Sequence, residues 1–183
     1  RSVRHLNAYL DALQVNTVAV RQNALADTMH SSILGLPYRA LIATETQNAR
    51  EGQAVRTQLQ EFTKKFYSHL DEIEALSLQP NIREALSAVR PDVKEYLAKA
   101  DELIRLALSG QRQQALAGIP QFASTFEKLE TNLDQLENLI AEEAERTKTQ
   151  GATVLTSVRF TSVVTFLLTM LFASLLSWNI SRV

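Results

Sequence analysis

The chain has 183 residues, 45% hydrophobic and 21% charged, with a net charge of −1 and no cysteine. That balance gives no footprint for nucleic acid, and the lack of cysteine excludes disulfides, thiolate metal sites and a cysteine nucleophile. Five Gly, four Pro and no alternating β-branched run bounded by turn signals leave helices rather than a sheet.

The first predicted helix covers about residues 3–44. Its lower part repeats Leu6, Leu10, Leu13, Thr17 and Val20 at steps of four and three, a coiled-coil seam. Leu25, Met29, Ile33, Leu36 and Ala40 continue an apolar face. The second helix, about 53–76, carries Val55, Leu59, Phe62, Phe66, Leu70, Ile73 and Leu76 on one stripe, and Leu78-Gln79-Pro80 breaks it. The third, about 81–109, carries Ile82, Leu86, Val89, Val93, Leu97, Ala100, Ile104 and Leu108, and ends at Ser109-Gly110. The fourth begins between Gln111 and Pro120, carries Phe122, Phe126, Leu129, Leu133, Leu136 and Ile140, and shows no stop signal before the C-terminal segment.

That segment, residues 160–180, holds no charge, Gly or Pro. At ~1.5 Å per residue it spans roughly 31 Å, the thickness of a bilayer's hydrocarbon core. Arg159 precedes it, and Trp178 and Arg182 mark its far end, where an indole and a cation anchor a span at the membrane–water boundary. With short connections the expected fold is all-α: an up-down-up-down four-helix bundle with long first and fourth helices, the fourth continuing into a transmembrane helix. The expected division is a sensor domain over 1–158, then the membrane helix and the start of a linker over 159–183. The lower first and fourth helices would form a two-helix stalk. A homodimer paired through Leu6, Leu10, Leu13 and Val20 would bury the seam.

Pro37, Pro91 and Pro120 fall inside helical patterns and would free the carbonyls of Ile33, Ser87 and Leu116 in a continuous helix. Gly35-Leu36-Pro37 and Gly118-Ile119-Pro120 share a pattern at similar distances from the distal turns, so a loosened layer is expected there.

On these residues the chain resembles the periplasmic four-helix-bundle ligand-binding domain of bacterial methyl-accepting chemotaxis receptors. The likeness rests on Tyr96 in the third helix, Gly110 at the distal turn, Ala115 soon after it, and the Pro-containing start of the fourth helix, Ala115-Leu116-Ala117-Gly118-Ile119-Pro120-Gln121. Lys64-Lys65-Phe66 and the span ending in Trp178 and Arg182 add to it. The resemblance implies a homodimer in the bacterial inner membrane with its sensor in the periplasm. It also implies a first span before Arg1, and a HAMP linker and kinase-control machinery beyond Val183. Aspartate-sensing members hold ligand carboxylates with arginines on the first helix. Asn23, Thr28 and Ser32 stand near those places here, so no ligand carries over. Histidine kinases and cyclic-dinucleotide enzymes carry similar sensors, and a non-sensory bundle anchored by one span is the plainer alternative.

No catalytic constellation is visible. His5, His30 and His69 lie apart, with only the Asp27-to-His30 step nearby, and are read as structural or solvated rather than as metal ligands. Ser31 and Ser32 have no identifiable base or oxyanion hole. The reading is therefore a non-enzymatic sensor without a cofactor. Its candidate ligand residues are Tyr38, Arg39, Tyr96, Lys99, Gln121 and Thr125, with Arg105 nearby. Arginine suits a carboxylate through its two-pronged fork, and tyrosine gives an apolar face with a hydroxyl, which together suit a small organic acid.

Overall fold

A computed structural model describes the backbone of residues 2–180 and the side chains of residues 6–151. The helices are α1 (Ser2–Leu34), α2 (Leu36–Glu45), α3 (Ala49–Glu74), α4 (Pro80–Leu108) and α5 (Arg112–Ile180), with no strand among the described residues. The chain divides into two compact units: Arg1–Gln14 with Ala144–Val183, and Val15–Glu143.

In the second unit, cross-helix bonds set direction and register. Gln22 of α1 donates to Glu72, and its Oε1 lies 2.8 Å from His69 Nδ1. Higher up, Tyr96 Oη donates to the His30 carbonyl at 2.9 Å, and Arg39 of α2 reaches Gln58 and Glu51 of α3. At the distal end Thr44 Oγ1 donates to the Ala107 carbonyl at 2.9 Å and Arg112 pairs with Glu45 at 2.5 Å. Residue numbers climb along α1–α2 and α4 while they fall along α3 and α5, so the passes run up, down, up, down. The apolar stripes turn inward: Val55, Leu59, Phe66, Leu70 and Ile73 from α3, Ile82 to Ile104 from α4, and Phe122, Leu129, Leu133, Leu136 and Ile140 from α5 are buried.

The first predicted helix is two helices. Pro37 lacks an N–H and its ring crowds the carbonyl four residues back, so α1 stops at Leu34. Gly35 alone separates it from α2, whose first turn takes the proline where no N–H is needed; Arg39 N–H then bonds the Gly35 carbonyl at 3.1 Å. Pro91 and Pro120 lie inside α4 and α5 without ending them. The two Gly-x-Pro sites are therefore unlike. A Cβ on Gly35 would meet nothing within 4 Å, whereas one on Gly118 would come within 2.5 Å of Leu103 Cδ2. Gly118 marks close packing of α5 on α4 rather than a loosened layer.

The α2–α3 turn is shorter than the sequence suggests. Asn48 caps α3 by accepting the Glu51 N–H at 3.0 Å, so the helix starts at Ala49 with Gly52 in its first turn. Both distal turns close α-helices in one way. After α4, Gly110 (φ 79°) donates to Ala107 O and Gln111 N–H to Leu106 O. After α2, Gln47 (φ 53°) donates to Thr44 O and Asn48 N–H to Ala43 O. This is the pairing that follows a helix end in left-handed conformation, where glycine is usual.

The first unit has its own close contact. A Cβ on Gly151 of α5 would collide with the Tyr9 ring of α1, so the ring lies directly over the Gly151 backbone. Among the described residues no helix is long and apolar enough to cross a membrane. The expected span, 160–180, and its flanks Arg159, Trp178 and Arg182 lie outside the residues whose side chains are described.

The two Gly-x-Pro sites predict opposite outcomes. Gly35→Ala, in open space with helical φ, is expected to stabilise the fold by ~0.5–1 kcal/mol. Gly118→Val overpacks the Leu103 contact and is expected to cost about 1–3 kcal/mol. Urea unfolding of both variants checks the signs.

Candidate functional site

The middle of the second unit is an aromatic layer with a histidine in it. Phe122 and Phe126, four residues apart, share a face of α5. The His30 ring stacks on Phe126 (centroids 4.0 Å apart, planes at 14°) and meets Tyr96 edge-on at 5.1 Å. Tyr96 in turn stacks on Phe122 at 5.1 Å and 8°. His30 is 1% exposed and Tyr96 fully buried. Burial pushes the Tyr96 phenol well up, so it remains a neutral donor to the His30 carbonyl. Burial lowers the His30 pKa from 6.5, opposed by Asp27, whose Oδ1 is 3.8 Å from Nδ1. His30 Nε2 and Asn23 Oδ1 are buried without a hydrogen-bond partner among the described residues.

Polar groups flank this layer. Asp92, 6% exposed, accepts from Asn132 and pairs with Lys128 at 2.6 Å, and the hydrogen bond to Asp92 raises the Lys128 pKa. Arg90 pairs with Asp71 at 2.7 Å and with Glu74; the Asp71 hydrogen bond is the main cause of its raised pKa.

The candidate ligand residues divide. Tyr96 and Thr125 enter the aromatic layer, Thr125 buried with its hydroxyl donating to the Phe122 carbonyl at 2.8 Å. Tyr38 (43% exposed) and Gln121 lie at the surface. Arg39 spends its fork on α3: Nε and Nη2 donate to Glu51 Oε1 at 2.9 and 2.6 Å, and Nη1 to Gln58 at 2.5 Å. Lys99 Nζ pairs with Glu102 at 3.0 Å. Pro37 and Pro120 lie at similar heights, as the His30–Phe126 stack and the Leu103–Gly118 contact require, while Tyr96 is about two turns lower. Of the seam residues, Leu10 is 52% and Val20 46% exposed, and Leu6 and Leu13 are half-buried.

His30 was legible only as a structural histidine. The signal for its layer is the pairing of Phe122 and Phe126 at a four-residue step with a lone Tyr96 and a lone His30 on apolar faces. Among the described residues no group of three His, Asp or Glu side chains is arranged to hold a metal ion.

Residues 23–155, spanning the aromatic layer, both distal turns and all of α5's described side chains, match the family described as a four helix bundle sensory module for signal transduction. The chain belongs to this family, the sensory module of methyl-accepting chemotaxis proteins. No curated protein and no solved structure matches it. The sensory module is a signal-transduction domain.

The lowered His30 pKa gives the module a pH dependence whose sign is fixed. Well above pH 6.5 His30 is neutral folded or unfolded and contributes no slope. Below it the unfolded chain binds a proton that the folded chain resists, so stability falls as pH drops from 6.5 toward the lower folded pKa. His30→Phe is expected to flatten the part of this slope that other histidines do not supply. Urea midpoints of wild type and variant between pH 7.5 and about 5 read the difference.

Proposed function

We propose that the sensory module is the extracytoplasmic domain of a transmembrane chemoreceptor, that it works as a homodimer in the inner membrane, and that it controls a cytoplasmic kinase machinery. The observation that carries this reading is α5. The family match covers residues 23–155, and α5 runs from Arg112 through that stretch and on to Ile180 as one helix. A displacement of α5 at the distal end has a covalent, hydrogen-bonded route to residues 160–180, the segment read as the span. Ligand drives such a displacement only through different affinities for two arrangements of α5 against α1 and α2.

Pairing through α1 is supported by the exposure of Leu10 and Val20, apolar side chains left in water by a single chain. A second copy laid on the Leu6, Leu10, Leu13 and Val20 seam removes that surface from solvent. Leu10→Glu with Leu13→Glu is expected to weaken self-association at least tenfold in sedimentation equilibrium. A wild type that stays monomeric at every concentration removes the dimer from the reading.

The ligand in this reading is a small carboxylate-bearing molecule at the height of Pro37 and Pro120. Tyr38 and Gln121 are exposed there, and Arg39, with 40% of its side chain exposed, holds a carboxylate already in Glu51. Tyr96, Thr125 and Lys99 support the level beneath. Ligand would take Arg39 from Glu51, exchanging one charge-assisted pair for another. Arg39→Ala is expected to lower affinity by about tenfold or more, and Arg39→Lys to restore it only in part. Calorimetry with the acid found in a thermal-shift screen of organic acids measures both. Equal affinity in all three proteins takes Arg39 out of the site.

A further inference from the structure

The distal end of the second unit holds a second feature, apart from the Arg39 level and from the aromatic layer. A cleft of about 350 Å³ opens at the α2–α3 turn. Its apolar floor is Ala43, Gly52 and the Leu108 side chain, and its polar wall is Gln47, Gln53 and Arg56. Gly52 lets Leu108 close that floor: a Cβ there would stand 3.0 Å from Leu108 Cδ2, so the Leu108 side chain lies against the α3 backbone beneath the cleft. The volume lies at the lower end of the range of small-molecule sites.

The charge of the cleft is one-sided. Its lining has one cation, Arg56, and no carboxylate. The nearby acids are engaged elsewhere, Glu51 with Arg39 and Glu45 with Arg112. Among the described residues Arg56 has neither an ion pair nor a side-chain hydrogen bond. Gln47 is also informative. It occupies the left-handed position that closes α2, where glycine costs least, and it brings a primary amide to the cleft wall.

We infer that this cleft binds a small organic monoanion: a carboxylate on Arg56, with amide donors from Gln47 and Gln53 beside it, and a compact apolar body over Ala43, Gly52 and Leu108. A single guanidinium matches one carboxylate by its fork, whereas a multiply charged anion such as phosphate would find only one counter-charge. The apolar floor favours a ring or short branched chain over a bare ion, because burying it removes hydrocarbon from water. The inference goes beyond the sensing reading above and needs neither Arg39 nor the dimer seam.

The test uses the full chain in lipid nanodiscs, with cyclohexanecarboxylate as probe and its uncharged carboxamide as control. Saturation-transfer NMR and calorimetry read binding. The expected result is saturable binding of the carboxylate, with the carboxamide and the Arg56→Gln variant each weaker by about tenfold. Ala49→Phe, at an exposed lining position, is expected to weaken both probes by filling the mouth. Circular dichroism of each variant confirms that the helices are intact. No saturable binding, equal affinity for acid and amide, or an unchanged affinity in Arg56→Gln overturns the inference. Loss in Arg39→Ala with no loss in Arg56→Gln overturns it too, by assigning the acid to the other level and leaving the sensing reading standing.

Discussion

A phenol with no exposed surface must still place its hydroxyl proton. Left unbonded, it would cost about 1–3 kcal/mol. Tyr96 meets this constraint through the backbone carbonyl of His30. That bond fixes the height of α4 against α1. Because the Tyr96 ring stacks on Phe122 and His30 stacks on Phe126, it fixes α5 as well. Three helices are thus referenced to one hydroxyl. The apolar stripes supply the bulk of the stabilisation, but burial alone does not select among registers a turn apart. The polar contacts above and below do: Gln22 with His69 and Glu72, Asp92 with Lys128 and Asn132, Thr44 with Ala107.

The price in this arrangement is the pair of buried atoms without partners, His30 Nε2 and Asn23 Oδ1. Both lie on α1, the helix that ends one residue before Gly35. Stacking on Phe126 gives the His30 ring close aromatic contact in place of water. Burial in this layer strips water from a charge there, which is why desolvation outweighs the nearby Asp27 in lowering its pKa.

Much of the fold could be read from spacing. Stripes such as Phe66, Leu70, Ile73 and Leu86, Val89, Val93 specify which face of each helix is buried, and Ser109-Gly110 specifies the end of α4. The start of α3 was less legible, because Gly52 looks like a turn residue until the Leu108 side chain beside it is known. The break at Gly35 and the continuity at Pro120 were indistinguishable in sequence for a similar reason. Both are Gly-x-Pro, and the space beside each glycine, open at Gly35 and filled by Leu103 at Gly118, is likewise not written in the pattern. The candidate site was the least legible part. Tyr96 was read as a candidate ligand residue and lies instead fully buried, and nothing in the pattern told that Arg39 would find Glu51 and Gln58 on α3, since ion pairs between helices depend on register and not on pattern.

The Tyr9 ring over Gly151 acts as a vernier for the first unit. The Tyr9 ring comes this close to the α5 backbone because Gly151 carries no Cβ. One turn back along α5, about 5.4 Å away, the same face presents Thr147, whose branched side chain would lift the ring off. Sliding these two helices past each other by one turn would therefore set the Tyr9 ring against the Thr147 side chain instead of bare backbone.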